Sequence, residues 1–319
     1  MYDKKAKMPL KFQQINILLE VAVQGSISKA ARALYLTQPA ISKAIQEMEH
    51  DLGVSLITRT PQGVTLTSFG EVLVRRGRTI HQEMEMIRDE LDTLRGNNTY
   101  HLRIAVANSA AFGPFHKTLL EFQHDFPDVR LEIMELRSHP ALEALINNDM
   151  DIAIVARSAE TPDLHYYWEE LYALLNTVTV RRGHPLQHAR SLTELREETW
   201  LDSDPNPNDS ILGLIFRRYN LPLPKRIVYS PCFTTFSRLS AETDMVAVWS
   251  QHVQQFPDSA KKYHYLDLEE VLPPRTIGFA CRDLQRLSEP AWEFLKRLRL
   301  ECRYWMTQKQ NQMLLAKRN

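Results

Sequence analysis

Two helical patterns, residues 28–34 and 38–51, are separated only by Tyr35, Leu36 and Thr37. A connection that short permits only a tight angle between the helices, which is the geometry of a helix-turn-helix. In the first pattern Ile27, Ala30, Ala31 and Leu34 recur at helical spacing, and Ser26 is placed as N-cap. In the second, Ile41, Ile45, Met48 and Leu52 form the apolar stripe. Thr37 is placed to cap that helix, and Pro39 is tolerated in its first turn. An earlier pattern, Phe12, Ile15, Leu18, Leu19 and Ala22, predicts one more helix. Residues 58–67 hold a Pro61-Gln62-Gly63 turn between β-prone residues, which predicts a short hairpin, or wing.

The apolar stripe of the second helix must face a core, so Gln38, Ser42, Lys43 and Gln46 fall on the opposite face. All four side chains can hydrogen-bond base edges or phosphates, and base contacts concentrate at the start of a recognition helix. Backbone N–H groups near Thr37 and Gln38 can also hold a phosphate. The same face fits a solvated side of a small bundle, so spacing alone leaves both readings open. Charge adds a little. The whole chain carries 39 basic and 39 acidic side chains, but its first 66 residues hold eight Lys/Arg against five acids. A mildly basic head on a neutral body suits nucleic-acid binding by the head.

A long helix is predicted from Ser68 to about Arg95, about 42 Å at 1.5 Å per residue. Its apolar residues Phe69, Leu73, Ile80, Met84, Ile87, Leu91 and Leu94 recur mostly at steps of three and four, with Arg76 interrupting. A narrow stripe of this length is suited to pairing with another helix, as in a coiled coil. Gly96-Asn97-Asn98-Thr99 then breaks the pattern and marks a domain boundary. Beyond it strands and helices alternate: 102–106, 115–126, 129–134, 140–148 and 152–155, with a closing helix over 292–305. Alternation with short loops implies a parallel sheet flanked by helices.

The stretch from Gly25 to Val54, followed by Arg59 and Gly63-Val64-Thr65-Leu66-Thr67, resembles the signature of LysR-type transcriptional regulators. The resemblance extends over nearly the whole chain. It implies a winged helix-turn-helix, a long linker helix and a two-lobed α/β effector domain like a periplasmic binding protein. The boundaries expected are 10–67 for the DNA-binding domain, 68–95 for the linker and 100–305 for the effector domain. Lobe I would take about 101–156 and 281–305, lobe II about 157–280, with a flexible tail over 306–319. By the same resemblance Gln38, Pro39, Ser42 and Lys43 meet the major groove, Arg59 enters the minor groove, and Ser28 and Thr37 touch phosphate. Lys43 stands where arginine is usual, which weakens bidentate guanine reading. Ile57 replaces the usual phenylalanine before the wing. The partners implied are a pseudo-palindromic double-stranded operator, a small-molecule effector and further copies of the chain, as dimer or tetramer.

In open α/β sheets ligands sit beyond the carboxyl ends of strands. That rule selects Asn108, Ser109 and Ala110, then Ser138 and His139, and in the other lobe Ser203, Asp204, Cys232, Phe233 and Thr234. Asp202, Asp204 and Asp209 crowd one wall and, if they face the cleft, would repel an anion. Cys232, Cys281 and Cys302 are odd in number and lack metal-like spacing, which suits free thiols in a reducing compartment. Cys281 and Cys302 lie in strand-like and helical runs and are expected to be buried, leaving Cys232 no second thiol in reach. No cofactor, metal or catalytic residue is expected: Gly-x-Gly-x-x-Gly, Walker, His-Glu-x-x-His and Gly-x-Ser-x-Gly patterns are missing. A solute-binding protein shares the lobe architecture but would carry a signal peptide and no helix-turn-helix. The lysine-bearing amino end lacks an apolar h-region, and no apolar run reaches membrane-spanning length, so a cytoplasmic location is expected.

Overall fold

A computed structural model describes residues 10–61, 63–95, 100–157, 166–206, 210–251 and 258–316. The chain divides into two compact units on either side of the Thr99–Tyr100 junction.

The first unit holds α1 (Phe12–Gln24), α2 (Ile27–Ala33), α3 (Gln38–Leu52), the antiparallel hairpin of β1 (Ile57–Thr60) and β2 (Gly63–Leu66), and α4 (Ser68–Leu94). Its core takes Leu18, Ala30, Ile41, Ile45 and Met48 from the positions the periodicity selects, adds Val21, which that pattern passes over, and leaves Phe12 exposed. Both helix starts are capped as expected. Ser26 Oγ accepts from the Lys29 N–H and Thr37 Oγ1 from the Ala40 N–H, each at 3.4 Å. Such caps are worth roughly 1 kcal/mol each. Helix α4 approaches α1 at Gly77, where a Cβ would stand 2.6 Å from Ile15 Cγ2. The buried face of α4 is therefore Val74 and Gly77, which leaves Arg76 in solvent. Beyond Gly77 the apolar stripe Ile80, Met84, Ile87 and Leu91 is exposed, each residue by 42–51 %.

The second unit begins with β3 (His101–Val106), α5 (Pro114–Asp125), β4 (Arg130–Glu135), α6 (Ser138–Ile146), β5 (Ile152–Arg157) and β6 (Tyr167–Leu174). It continues with β7 (Asn176–Arg181), α7 (Leu192–Leu195), β8 (Thr199–Asp202), α8 (Ile211–Arg218), β9 (Arg226–Tyr229) and α9 (Phe233–Glu242). Then come β10 (Val246–Ser250), α10 (Ser259–Lys262), β11 (Tyr263–Tyr265), β12 (Arg275–Cys281) and α11 (Glu289–Ala316). Two five-stranded sheets result, ordered β4-β3-β5-β12-β6 in lobe I and β11-β7-β10-β8-β9 in lobe II.

Three expectations are corrected. The sheets are mixed rather than parallel, because β12 pairs antiparallel with both β5 and β6, and β7 with both β10 and β11. The chain leaves lobe I after Leu174 and returns at Arg275, so β6 and β12 belong to lobe I and lobe II is shorter than 157–280. The last helix does not stop near Trp305 but runs to Ala316. Lobe I is filled by Phe122, Ile154, Phe279 and Phe294, with the Phe122 and Phe294 rings edge to face at 5.5 Å. Lobe II is centred on Trp200 against Phe216. Across the hinge, Asn176 Nδ2 donates to the Pro273 carbonyl at 2.8 Å, tying the two crossing segments together.

Candidate nucleic-acid interface and ligand cleft

Helix α3 buries Ile41, Ile45 and Met48 completely, and the helical period then turns Gln38, Pro39, Lys43 and Gln46 outward. All four are exposed, Ser42 is half-buried beside them, and Thr37 and Ser28 are exposed near the starts of α3 and α2. Lys43 lies 3.9 Å from Glu47, an exposed pair of little energetic weight that leaves the ammonium available. Arg59 is exposed on β1, opposite Val64. The wing is fixed from two sides. The Val64 N–H donates to the Gly25 carbonyl at 2.9 Å, and a Cβ on Gly63, whose φ is +141°, would collide with that carbonyl. Glu49 Oε1, near the end of α3, accepts from the Leu56 and Ile57 N–H groups at 2.7 and 3.3 Å. Glu49 thus couples α3 to the hairpin, a role its place in the helical pattern does not announce.

In the second unit a cavity of about 460 Å³ lies between the lobes. Asn108, Ser109, Ser138, His139, Ser203, Asp204 and Phe233 all line it. Phe112 and Phe233 meet across the cleft with ring centroids 5.1 Å apart, and Trp249 and Phe236 extend the aromatic wall. Ser138 Oγ accepts from the Ala156 N–H at 3.3 Å, while the exposed His139 pairs with Glu143 at 3.2 Å. Ala110 is instead packed in the lobe I core. Cys232 and Thr234 line an adjoining depression with Glu135, Leu136 and Pro231, which shares Asn108, Arg137 and Phe233 with the cavity. Helix α9 begins at Phe233, and of residues 232–234 only Phe233 lines the cavity as well as the depression.

The acidic wall is also corrected. Asp202 does not line the cleft; it is buried and accepts from the Ser203 and Asp204 N–H groups at 2.7 and 3.4 Å. Burial outweighs those bonds and raises its carboxyl above the ordinary value. Asp204 does face the cleft, where Arg137 Nη1 from the other lobe donates to its Oδ1 at 2.6 Å. Asp209 lies outside the described residues. Three arginines missing from the sequence reading, Arg137, Arg157 and Arg275, line the same cavity. Arg275 donates to the Ala156 carbonyl, and Arg157 stacks over Trp168 at 4.8 Å. The cysteines are free, with Cys281 and Cys302 buried as expected, and burial pushes both thiols up to about 12. Among the described residues no group of three or more His, Cys, Asp or Glu side chains is placed to hold a metal, and no helix is long and apolar enough to cross a membrane.

Comparison with known proteins agrees with this arrangement. Residues 12–71 match the family described as bacterial regulatory helix-turn-helix protein, lysR family, and residues 95–303 match the LysR substrate binding domain. The chain is 27 % identical to the HTH-type transcriptional regulator TdcA of Escherichia coli (strain K12) over 266 residues, 82 % of this chain and 84 % of TdcA. It is 25 % identical to GbpR of Azospirillum brasilense over 256 residues, 78 % and 74 % of the two chains. Among solved structures, ArgP from Mycobacterium tuberculosis is similar with a TM-score of 0.69 at 15 % identity, covering 92 % of this chain and 97 % of ArgP. Full-length CbnR complexed with its target DNA gives 0.60 at 19 % identity, covering 92 % of this chain and all of CbnR. These relatives are named regulators rather than enzymes, which answers the enzyme reading. With a helix-turn-helix match at one end and a substrate-binding match over more than half its length, the chain belongs to the LysR family of bacterial transcriptional regulators.

Proposed function

We propose that this regulator grips an operator through α3 and the wing, and that a small molecule in the cleft between the lobes modulates that grip. The observation that carries the reading is the exposed face of Gln38, Pro39, Lys43 and Gln46, with Arg59 beside it on a wing locked to α3. Gln38 and Ser42 read base edges, Lys43 and Arg59 supply positive charge, and Ser28 and Thr37 meet phosphates. The chain shares its fold with full-length CbnR, which was solved with its target DNA, and that likeness supports DNA binding in general. The exposed stripe of α4 pairs two copies, which present two recognition helices to a pseudo-palindromic site. Ligand binding shifts the population between lobe arrangements, and the protein works in the cytoplasm.

The test is a titration of an operator selected from random DNA, at rising salt. Gln38→Ala should lose about 1–3 kcal/mol and relax specificity, whereas Arg59→Ala should weaken all sequences alike and flatten the salt slope by about one unit. Unchanged affinity and selectivity in both Gln38→Ala and Ser42→Ala would overturn the interface.

A further inference from the structure

Tyr35 stands in the turn between α2 and α3 with a backbone φ of +55°. The turn ends α2 in a Schellman pattern. The Tyr35 N–H donates to the Arg32 carbonyl at 3.2 Å, and the Leu36 N–H to the Ala31 carbonyl at 2.8 Å. Glycine or asparagine is the ordinary residue at this left-handed position, because a larger side chain crowds the backbone there. The other non-glycine residues with positive φ among the described residues are Asn148, Asn220 and Asp258, whose short polar side chains tolerate it. Tyr35 is the bulky exception. Its ring also contributes little to the packing of the fold: it is 97 % exposed, more than any other large hydrophobic side chain among the described residues.

The surroundings of the ring point to what covers it. Residues 35–40 are exposed without a break, so Tyr35 is continuous with Gln38 and Pro39 at the start of α3. From Val21 to Gln46 the chain holds Lys29, Arg32 and Lys43 and no acidic side chain, which favours an anionic partner at this turn. Resting on the α3 interface proposed above, we propose that Tyr35 is a further DNA contact, its ring against the sugar–phosphate backbone and its hydroxyl donating to a phosphate oxygen. Tyrosine hydroxyls are ordinary phosphate partners, and such contacts fix orientation without reading sequence. A neutral donor releases no counter-ion, so this contact adds the same affinity at every salt concentration. The strained turn thus holds an aromatic arm in solvent, at a cost in stability to the head that contact with DNA offsets.

The full-length protein and its Tyr35→Asn and Tyr35→Phe variants are melted by circular dichroism. Each is also titrated, over a salt series, with the operator selected from random DNA and with an unrelated duplex. Asparagine fits the left-handed turn, so the head of Tyr35→Asn should melt a few degrees higher than the parent. The same variant should bind both duplexes about five- to tenfold more weakly, with an unchanged salt slope. Tyr35→Phe keeps the strain and loses only the hydroxyl, so it should melt like the parent and bind about two- to fourfold more weakly. A tyrosine serving the fold alone would not move stability and affinity in opposite directions. Parental affinity in Tyr35→Asn, a lower melting temperature for it, or a loss confined to the selected operator would each overturn the proposal. Gln38→Ala and Ser42→Ala, titrated in parallel, separate the two levels. If they weaken operator binding while Tyr35→Asn does not, only the Tyr35 contact fails; if all three bind like the parent, the α3 interface fails as well.

Discussion

Asp202 shows how a residue can sit in the ligand wall by sequence and serve the fold instead. Its carboxylate closes the turn after β8 by accepting two backbone N–H groups, yet burial still raises its folded pKa above the unfolded value. For a carboxylate shifted upward, the ionised form is what folding disfavours. Stability from this group is therefore gained as pH falls through the raised folded pKa, and is lowest above it. Asn in its place keeps an acceptor oxygen for the Ser203 N–H and removes the desolvated charge. Asp202→Asn should melt at an equal or higher temperature near pH 7.5, with the difference shrinking as pH falls toward the ordinary aspartate value of about 3.9. A variant that is less stable at neutral pH and no better at acid pH would contradict this. The neighbouring Asp204 instead faces the cleft and pairs with Arg137 across it. Nothing in the local sequence separates the two aspartates.

At the scale of elements, the parts legible in the sequence were those whose cause is local. Ser26 and Thr37 cap the helices they precede because capping spans only three residues. The wing and the apolar faces of α2 and α3 follow the same way, while α1 buries Val21 and leaves Phe12 exposed. Sheet membership is different. Residues 275–281 are strand-like from composition, but their insertion between β5 and β6 depends on partners far away in the chain. The loops that line the cleft were legible through the rule for strand ends, while its arginines were not, because a basic residue at a strand end ordinarily meets solvent. Arg157, closing the apolar run of β5, was the available signal. Helix α4 mixes both cases: its stripe is legible, but the break at Arg76 makes sense only once Gly77 is seen against Ile15. Since Ile80 and Ile87 are half-exposed within unit 1, replacing both with Ser should convert the oligomer to monomers in sedimentation without lowering helical content. An unchanged sedimentation profile would remove α4 as the pairing surface.

The whole molecule has separate cores on the two sides of Thr99, and its optical properties divide the same way. All five tryptophans, Trp168, Trp200, Trp249, Trp292 and Trp305, belong to the second unit. Denaturant titration should therefore give a fluorescence transition that reports the lobes alone, while far-ultraviolet circular dichroism also follows α1 to α4. Two midpoints are expected, because each core can unfold on its own account. Coincident curves at every denaturant concentration would show the units to be one cooperative block. The crossing of the chain between lobes carries a further consequence, for synthesis. Lobe II is threaded into lobe I between Leu174 and Arg275, and β12 is the strand that joins β6 to β5. A nascent chain emerging amino end first therefore completes the DNA-binding head, then lobe II, while β6 has no neighbour to pair with. Lobe I closes last, when β12 and α11 leave the ribosome, and until then the apolar edge of β5 is the surface a chaperone has reason to hold.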